Sequence, residues 1–234
     1  DPALVESVPA FIAADTGMDV LTHATEAYTS NFANDYTDGI ALQTIKLVFQ
    51  YLEKSVLTGD PEAREKIHNA STMAGMAFAN AFLGMSHSMA HKIGGRFHTV
   101  HGRTNAILLP YVIRYNGTRP SKTTTWPKYN YWKADEKFQD IARMLGLPHS
   151  TPEEAVAAYA KAVYELGEKV GIKMNFKDQG IDEQEWKKYT HELALLAYED
   201  QCSPANPRLP MVADMEEIMN DAYYGYKERP GRIK

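Results

Sequence analysis

The sequence predicts an all-α domain of eight or nine helices. Apolar residues recur at helical spacing along most of the chain, and helix start and stop signals bound those segments. No run shows the two-residue alternation of a half-buried strand, and no strand–helix–strand unit is present. With 234 residues and 44% hydrophobic content, the chain can bury a large core.

The elements follow in order. Thr16 and Gly17 precede a first helix reaching about residue 30, with Val20, Ala24, Ala27 and Tyr28 on one stripe. The second, about 38–57, carries Ala41, Ile45, Val48, Phe49, Leu52 and Val56 at a period near 3.6. Asp60-Pro61-Glu62 supplies an N-cap, a proline at the first helical position and a first-turn acid, and opens a helix to about residue 83. Its apolar end, 73–85, is too short to span a bilayer and reads as buried. Small residues on several of its faces (Ala74, Gly75, Ala77, Ala79, Ala81) predict a central helix closely packed by its neighbours. Residues 104–115 predict a helix bent or restarted at Pro110, and 116–132 a long surface loop rich in Gly, Pro and Thr. Helices resume at about 134–145, then from the capping box Thr151–Glu154 to about 170. A second box, Asp182 to Glu185, opens a helix with Trp186, Tyr189, Leu193 and Leu196 inward, and a last helix, about 211–224, stops at Gly225.

Composition excludes several classes. A net charge of −5 without a basic tract argues against nucleic-acid and anionic-membrane partners. The one cysteine, Cys202, cannot form an intramolecular disulfide and fits a reducing, cytoplasmic setting. No 18-residue apolar run and no signal-peptide pattern are present, so the Asn116-Gly117-Thr118 sequon is read as a chance match. The chain opens on Asp1 and enters helical patterning almost at once, which predicts a piece of a longer protein.

The chemistry concentrates in residues 85–105, MSHSMAHKIGGRFHTVHGRTN, which hold four of the eight histidines. His87 and His91 stand four apart, so a helix would place both imidazoles on one face. Gly94-Gly95 mark a turn, and His98 and His101 follow. Upstream, Asp19 and His23 in GMDVLTHATEAY repeat the four-residue spacing. One carboxylate and several imidazoles make a credible nitrogen–oxygen site for a divalent transition metal, although spacing leaves open which histidines ligate. His98 reads as a solvent-facing loop residue, and His68, His149 and His191 as structural or exposed. Phosphate loops of the GxxxxGK[ST] and GxGxxG types, the HExxH helix and an HD dipeptide are absent. A lone Cys202 is more simply a small buried apolar residue than a nucleophile.

GMDVLTHATEAY together with GMSHSMAHKIGGRFHTVHGRTNAILLPYVIRYN closely resembles the C-terminal helical domain of the iron-containing (group III) alcohol dehydrogenases, a fold shared with dehydroquinate synthase-like proteins. DQCSPANPRLP sharpens the likeness toward the alcohol dehydrogenase half of bifunctional aldehyde–alcohol dehydrogenases, and the resemblance covers about residues 1–225. It implies four metal ligands, Asp19, His23, His87 and His101. It places His91, which spacing alone would have taken as a ligand, near the nicotinamide and substrate as a proton relay. Phe78 and Cys202 match positions beside the substrate and nicotinamide pocket; ordinary core packing is the other reading for both.

The implied metal is Fe(II), while the ligand set suits Zn(II) as well or better. The implied reaction interconverts short primary alcohols and aldehydes by hydride transfer with NAD(H). One departure matters: this chain reads as a single helical metal- and substrate-binding domain over 1–234, without the family's N-terminal α/β nucleotide-binding domain. The isolated chain is therefore expected to bind metal but to turn over negligibly. The rival reading is a helical module for homo-oligomer or filament assembly.

Overall fold

The computed structural model describes residues 1–120 and 132–225. Among the described residues lie nine α-helices and no strand: α1 (Ala10–Thr29), α2 (Asp35–Thr58), α3 (Pro61–Ala81), α4 (Met85–Phe97), α5 (His101–Gly117), α6 (Ala134–Leu145), α7 (Pro152–Lys169), α8 (Glu183–Tyr198) and α9 (Val212–Tyr224). Short 3-10 turns stand at Pro2–Val5 and Ser203–Ala205. Of the expected loop over 116–132, Asn116 and Gly117 belong to α5, and 121–131 lie outside the described residues.

α1 is the organising helix. It packs against α2, α3 and α5, and between Gly17 and Thr29 only Asp19 and His23 escape full burial. Its approach to α2 is close: a Cβ at Gly17 would lie 2.1 Å from Leu52 Cδ1. Thr25 and the buried Tyr159 of α7 share a hydrogen bond of 2.7 Å, which satisfies two polar groups in the core. α5 runs from α1 to α7 and also meets α4 and α9. Trp186 of α8 is fully buried and stacks on Phe97, Phe176 and Tyr223 at 4.9–5.6 Å, which joins α4, α8 and α9.

Several expectations need correction. α1 begins at Ala10, six residues before Thr16, because Phe11 and Ile12 are exposed and carry no inward stripe. The 73–85 segment is not one buried helix. α3 buries a single stripe (Ala70, Ala74, Ala77, Ala81) and leaves Met76 55% exposed. It ends at Ala81 because Phe82 adopts a left-handed φ of 61°, with its N–H on the Phe78 carbonyl. Small residues there reflect close contact with α2 and α1 along one stripe rather than a central position. α5 continues through Pro110 without restarting, since loss of one N–H is tolerated inside a helix buried among several neighbours. On α8, Leu196 points outward (42% exposed), and Leu193, Ala194 and Ala197 face the core with Trp186.

The capping boxes are also incomplete. Thr151 accepts the Glu154 N–H, but the Glu154 carboxylate takes the Ser150 N–H instead of its box partner. Asp182 caps α8 through the Gln184 and Glu185 N–H groups, while the Glu185 carboxylate lies near Arg96 and Lys188.

The entry of α5 is held hard against α1. A Cβ on Gly102 would lie 2.2 Å from the Asp15 carbonyl oxygen and 3.1 Å from Asp19 Cβ. Beside it Arg103 makes a two-pronged bond to buried Asp15, Nε to Oδ1 and Nη2 to Oδ2, each 2.9 Å. Gly102→Ala is expected to cost ~1–3 kcal/mol through overpacking against backbone that cannot move aside. The check is a lower urea midpoint at unchanged m-value.

Candidate metal centre

α1 presents Asp19, His23 and Glu26 at positions i, i+4 and i+7, one above another on the strip facing α4 and α5. α4 supplies His87 from its first turn, and α5 supplies His101 at its first residue, set beside Asp19 by the Gly102–Asp15 contact. α4 starts at Gly84, where a Cβ would lie 2.7 Å from Asn206 Oδ1 and 2.9 Å from Glu26 Oε1. Those two oxygens accept the unpaired N–H groups of the first turn, Met85 to Asn206 (3.2 Å) and Ser86 to Glu26 (2.7 Å). A carboxylate at a helix N-terminus is also favoured by the helix dipole.

Glu26 is 3% exposed and has a second task. Its Oε2 accepts the His87 Nδ1–H at 2.6 Å, which leaves the lone pair on His87 Nε2. That nitrogen is buried and has no hydrogen-bond partner among the described residues. A bare, buried imidazole nitrogen is costly unless something electropositive meets it. His23 is prepared similarly: its Nδ1–H donates to the Asp19 carbonyl at 2.7 Å, leaving Nε2 bare. The His23 and His87 rings are 4.3 Å apart, and donor atoms of Asp19, His23 and His87 lie within 4.8 Å of one another. Asp19 Oδ1 stands 3.8 Å from His87 Nε2 and 3.6 Å from His101 Nε2. The Asn105 amide donates to both Asp19 Oδ1 (2.9 Å) and His101 Nε2 (3.1 Å), so an N–H group meets two of the converging acceptors.

The electrostatics agree with this donor set. Burial, followed by the neighbouring His87 ring, lowers the His23 pKa below its ordinary value against the opposing Asp19 charge. Burial likewise lowers that of His101. Both imidazoles are therefore neutral near pH 7, the form a metal requires. The arrangement fits a divalent ion held by one carboxylate and three imidazoles, with carboxylate and carbonyl acceptors behind two of the rings.

His91 does not join this convergence through the same atoms. Its ring stacks on His101 at 5.5 Å and lies 6.2 Å from His87, while its Nδ1 meets Asp200 Oδ2 at 3.1 Å. Phe78 packs its ring on His23 at 4.7 Å. Cys202 is buried, and burial together with the Asp200 and Glu26 charges pushes its thiol up to about 12, so it is not a thiolate nucleophile. His98 is the exposed residue that caps the C-terminus of α4, with a left-handed φ of 55°. His191 is exposed beside Glu216, and His149 bonds to the Leu147 carbonyl. A cleft of about 610 Å³ between the end of α4 and the segment before α8 holds none of the cluster, which lies on an open face.

The model of the C-terminal part of the Fe-containing alcohol dehydrogenase family matches residues 13–223. The chain belongs to the iron-containing alcohol dehydrogenase family. It is 79% identical over all 234 residues to an aldehyde-alcohol dehydrogenase of Streptococcus pneumoniae, of whose length it covers 26%. It is 42% identical to an NADPH-dependent butanol dehydrogenase of Clostridium saccharobutylicum, over 96% of this chain and 54% of that one. Among solved structures, a 1,3-propanediol oxidoreductase superposes with a TM-score of 0.84 at 36% identity, over 95% of this chain and 55% of the other. The chain thus spans about a quarter of the length of the pneumococcal relative. No helix among the described residues is long and apolar enough to cross a membrane.

Sequence reasoning missed Glu26, Asn105 and Asp200. Glu26 was findable, because it continues the Asp19–His23 stripe at i+7. Asn105 stands four residues after His101, one turn along α5, so the same spacing argument could have found it. Asp200 carries no spacing signal, since His91 and Lys92 lie far away in sequence.

Two outcomes follow from this geometry. Glu26→Gln is expected to weaken Zn(II) affinity roughly 10–100-fold at unchanged helix content, read by competition with a chromogenic chelator. The metal-free chain is also expected to lose stability on acidification. The lowered His23 and His101 values mean that the unfolded state binds more protons as pH falls through the ordinary 6.5. Thermal melts from pH 7.5 to 5.5 should show a falling midpoint, with a shallower fall in a His23→Gln, His101→Gln double variant.

Proposed function

We propose that this chain is the metal- and substrate-binding domain of an NAD(H)-linked alcohol dehydrogenase that interconverts short primary alcohols and aldehydes. It would act with a nucleotide-binding domain of the same parent chain, a bifunctional aldehyde–alcohol dehydrogenase. The observation that carries this reading is the buried, partnerless His87 Nε2 aimed among Asp19, His23 and His101, with Glu26 holding the ring from behind. Membership of the iron-containing family supports Fe(II) as the occupant, and Zn(II) satisfies the same donors.

Asp19, His23, His87 and His101 would hold the ion, which supplies Lewis acidity toward a substrate oxygen. Asp19 as the one carboxylate among the four leaves the site net positive when loaded. His91, beside the cluster and 34% exposed, is placed to accept the hydroxyl proton and pass it to solvent. The Phe78 ring against His23 offers an apolar edge for a short alkyl chain. Cys202, protonated and buried, contributes a small neutral wall beside Asp200.

The assembly reading has a specific feature in its favour. Phe32 and Phe82 stack edge-on at 5.3 Å while each remains more than half exposed, so an apolar contact surface is available. A contact surface does not require four converging metal donors, which the enzyme reading explains.

Full-length protein loaded anaerobically with Fe(II) is expected to reduce NAD with ethanol. His87→Ala and His101→Ala should lose both the metal, by elemental analysis, and the turnover. The isolated chain is expected to bind about one divalent ion with negligible turnover. Activity in a metal-free preparation, or full activity in His87→Ala, would remove the metal reading. A strictly monomeric isolated chain in sedimentation would weaken the assembly reading.

A further inference from the structure

Asp200, just beyond the end of α8, is the charged residue near the centre whose task the ligand set does not explain. Its carboxylate is 7% exposed and accepts three hydrogen bonds. Lys92 Nζ donates to Oδ2 at 2.8 Å, the Cys202 N–H to Oδ1 at 3.0 Å, and His91 Nδ1–H to Oδ2 at 3.1 Å. Two of these donors fix the carboxylate, and the third belongs to the ring set for proton transfer.

We propose that Asp200 is a positioning residue for His91, holding the ring in the Nδ1–H tautomer and leaving Nε2, across the ring from Asp200, as its basic nitrogen. The inference rests on the proton-transfer role given to His91 under the proposed function. His91 is clamped on two sides, by Asp200 at its edge and by the His101 ring stacked on its face with a 16° interplanar angle. When Nε2 accepts a proton, the resulting imidazolium keeps its Nδ1–H on a carboxylate that offsets the new charge. Removing such an acceptor from a catalytic imidazole leaves the geometry intact but favours the wrong tautomer. Although burial opposes ionisation, the Lys92, Cys202 N–H and His91 contacts hold the Asp200 carboxyl at about 2, so the acceptor is charged throughout the working range.

A second metal site is the competing use of the same atoms, since donors of His91, Asp200 and Cys202 lie within 4.8 Å of one another. Lys92 argues against it. An ammonium 2.8 Å from Asp200 Oδ2 already neutralises the only carboxylate of that trio and would repel a divalent ion.

The test uses the full-length, metal-loaded protein. Asp200→Asn is expected to lower kcat roughly 10²-fold with KM and metal content little changed, and Asp200→Glu to recover part of the loss. In a His91→Ala background, Asp200→Asn should add no further loss. An equal loss in that background, or release of the metal, would show a structural role and overturn the proposal. Nitrogen-15 histidine spectra of the zinc-loaded protein give an answer independent of turnover. The His91 proton should sit on Nδ1 in the wild type and move to Nε2 in Asp200→Asn; a wild-type ring protonated on Nε2 overturns the proposal. If the wild type fails to oxidise alcohols, the functional reading falls, and the tautomer measurement still decides what Asp200 does.

Discussion

The buried carboxylate of Glu26 is the contact on which the centre depends. It is buried and accepts one backbone N–H from the start of α4 and the Nδ1–H of His87. Burying a charged group without partners would cost several kcal/mol, so these bonds are as much a condition for the α1–α4 packing as a product of it. The same two bonds set the start of α4, the tautomer of His87 and the direction of its free nitrogen. Gly84 belongs to this arrangement, because a side chain there would collide with the carboxylate.

The other wall of the site follows the same logic in different chemistry. Asp15 and Arg103 form a two-pronged ion pair, and Gly102 removes the Cβ that would hold α5 away from α1. Together they bring the first residue of α5 beside Asp19. One close helix approach, α5 on α1 at Gly102, and one helix start seated on a side chain, α4 on Glu26 at Gly84, therefore place histidines from two helices beside a third. Only Asp19 and His23 interrupt the burial of α1 after Gly17, so the helix that builds the core also exposes the donors.

Around the clustered imidazoles lies a ring of acceptors and donors that fix orientation: Glu26 behind His87, the Asp19 carbonyl behind His23, Asn105 between Asp19 and His101, and Asp200 behind His91. Each constrains an imidazole that would otherwise rotate or change tautomer. The face they form is open at His101, whose side chain is 44% exposed.

Much of this was written in the order of residues. Helical periodicity located the helices other than α4, whose Gly94-Gly95 pair, expected as a turn, lies inside the helix. The Thr151 cap and the Gly225 stop placed those limits of α7 and α9 within a residue or so, because such signals are local. The four-residue spacings of Asp19–His23 and His87–His91 announced that these donors stand on shared faces, since a helix converts spacing directly into a shared face. Spacing alone could not separate His91 from His87, which share a face of α4; the bond to Asp200, distant in sequence, distinguishes them. Nor could it show that α1 is central and α3 peripheral, because small residues mark close contact on one side as readily as on all. Local pattern determined the elements and the kinds of donor. The tertiary structure alone decided which nitrogens stand bare and what holds them, because hydrogen bonds between distant segments depend on how the helices pack.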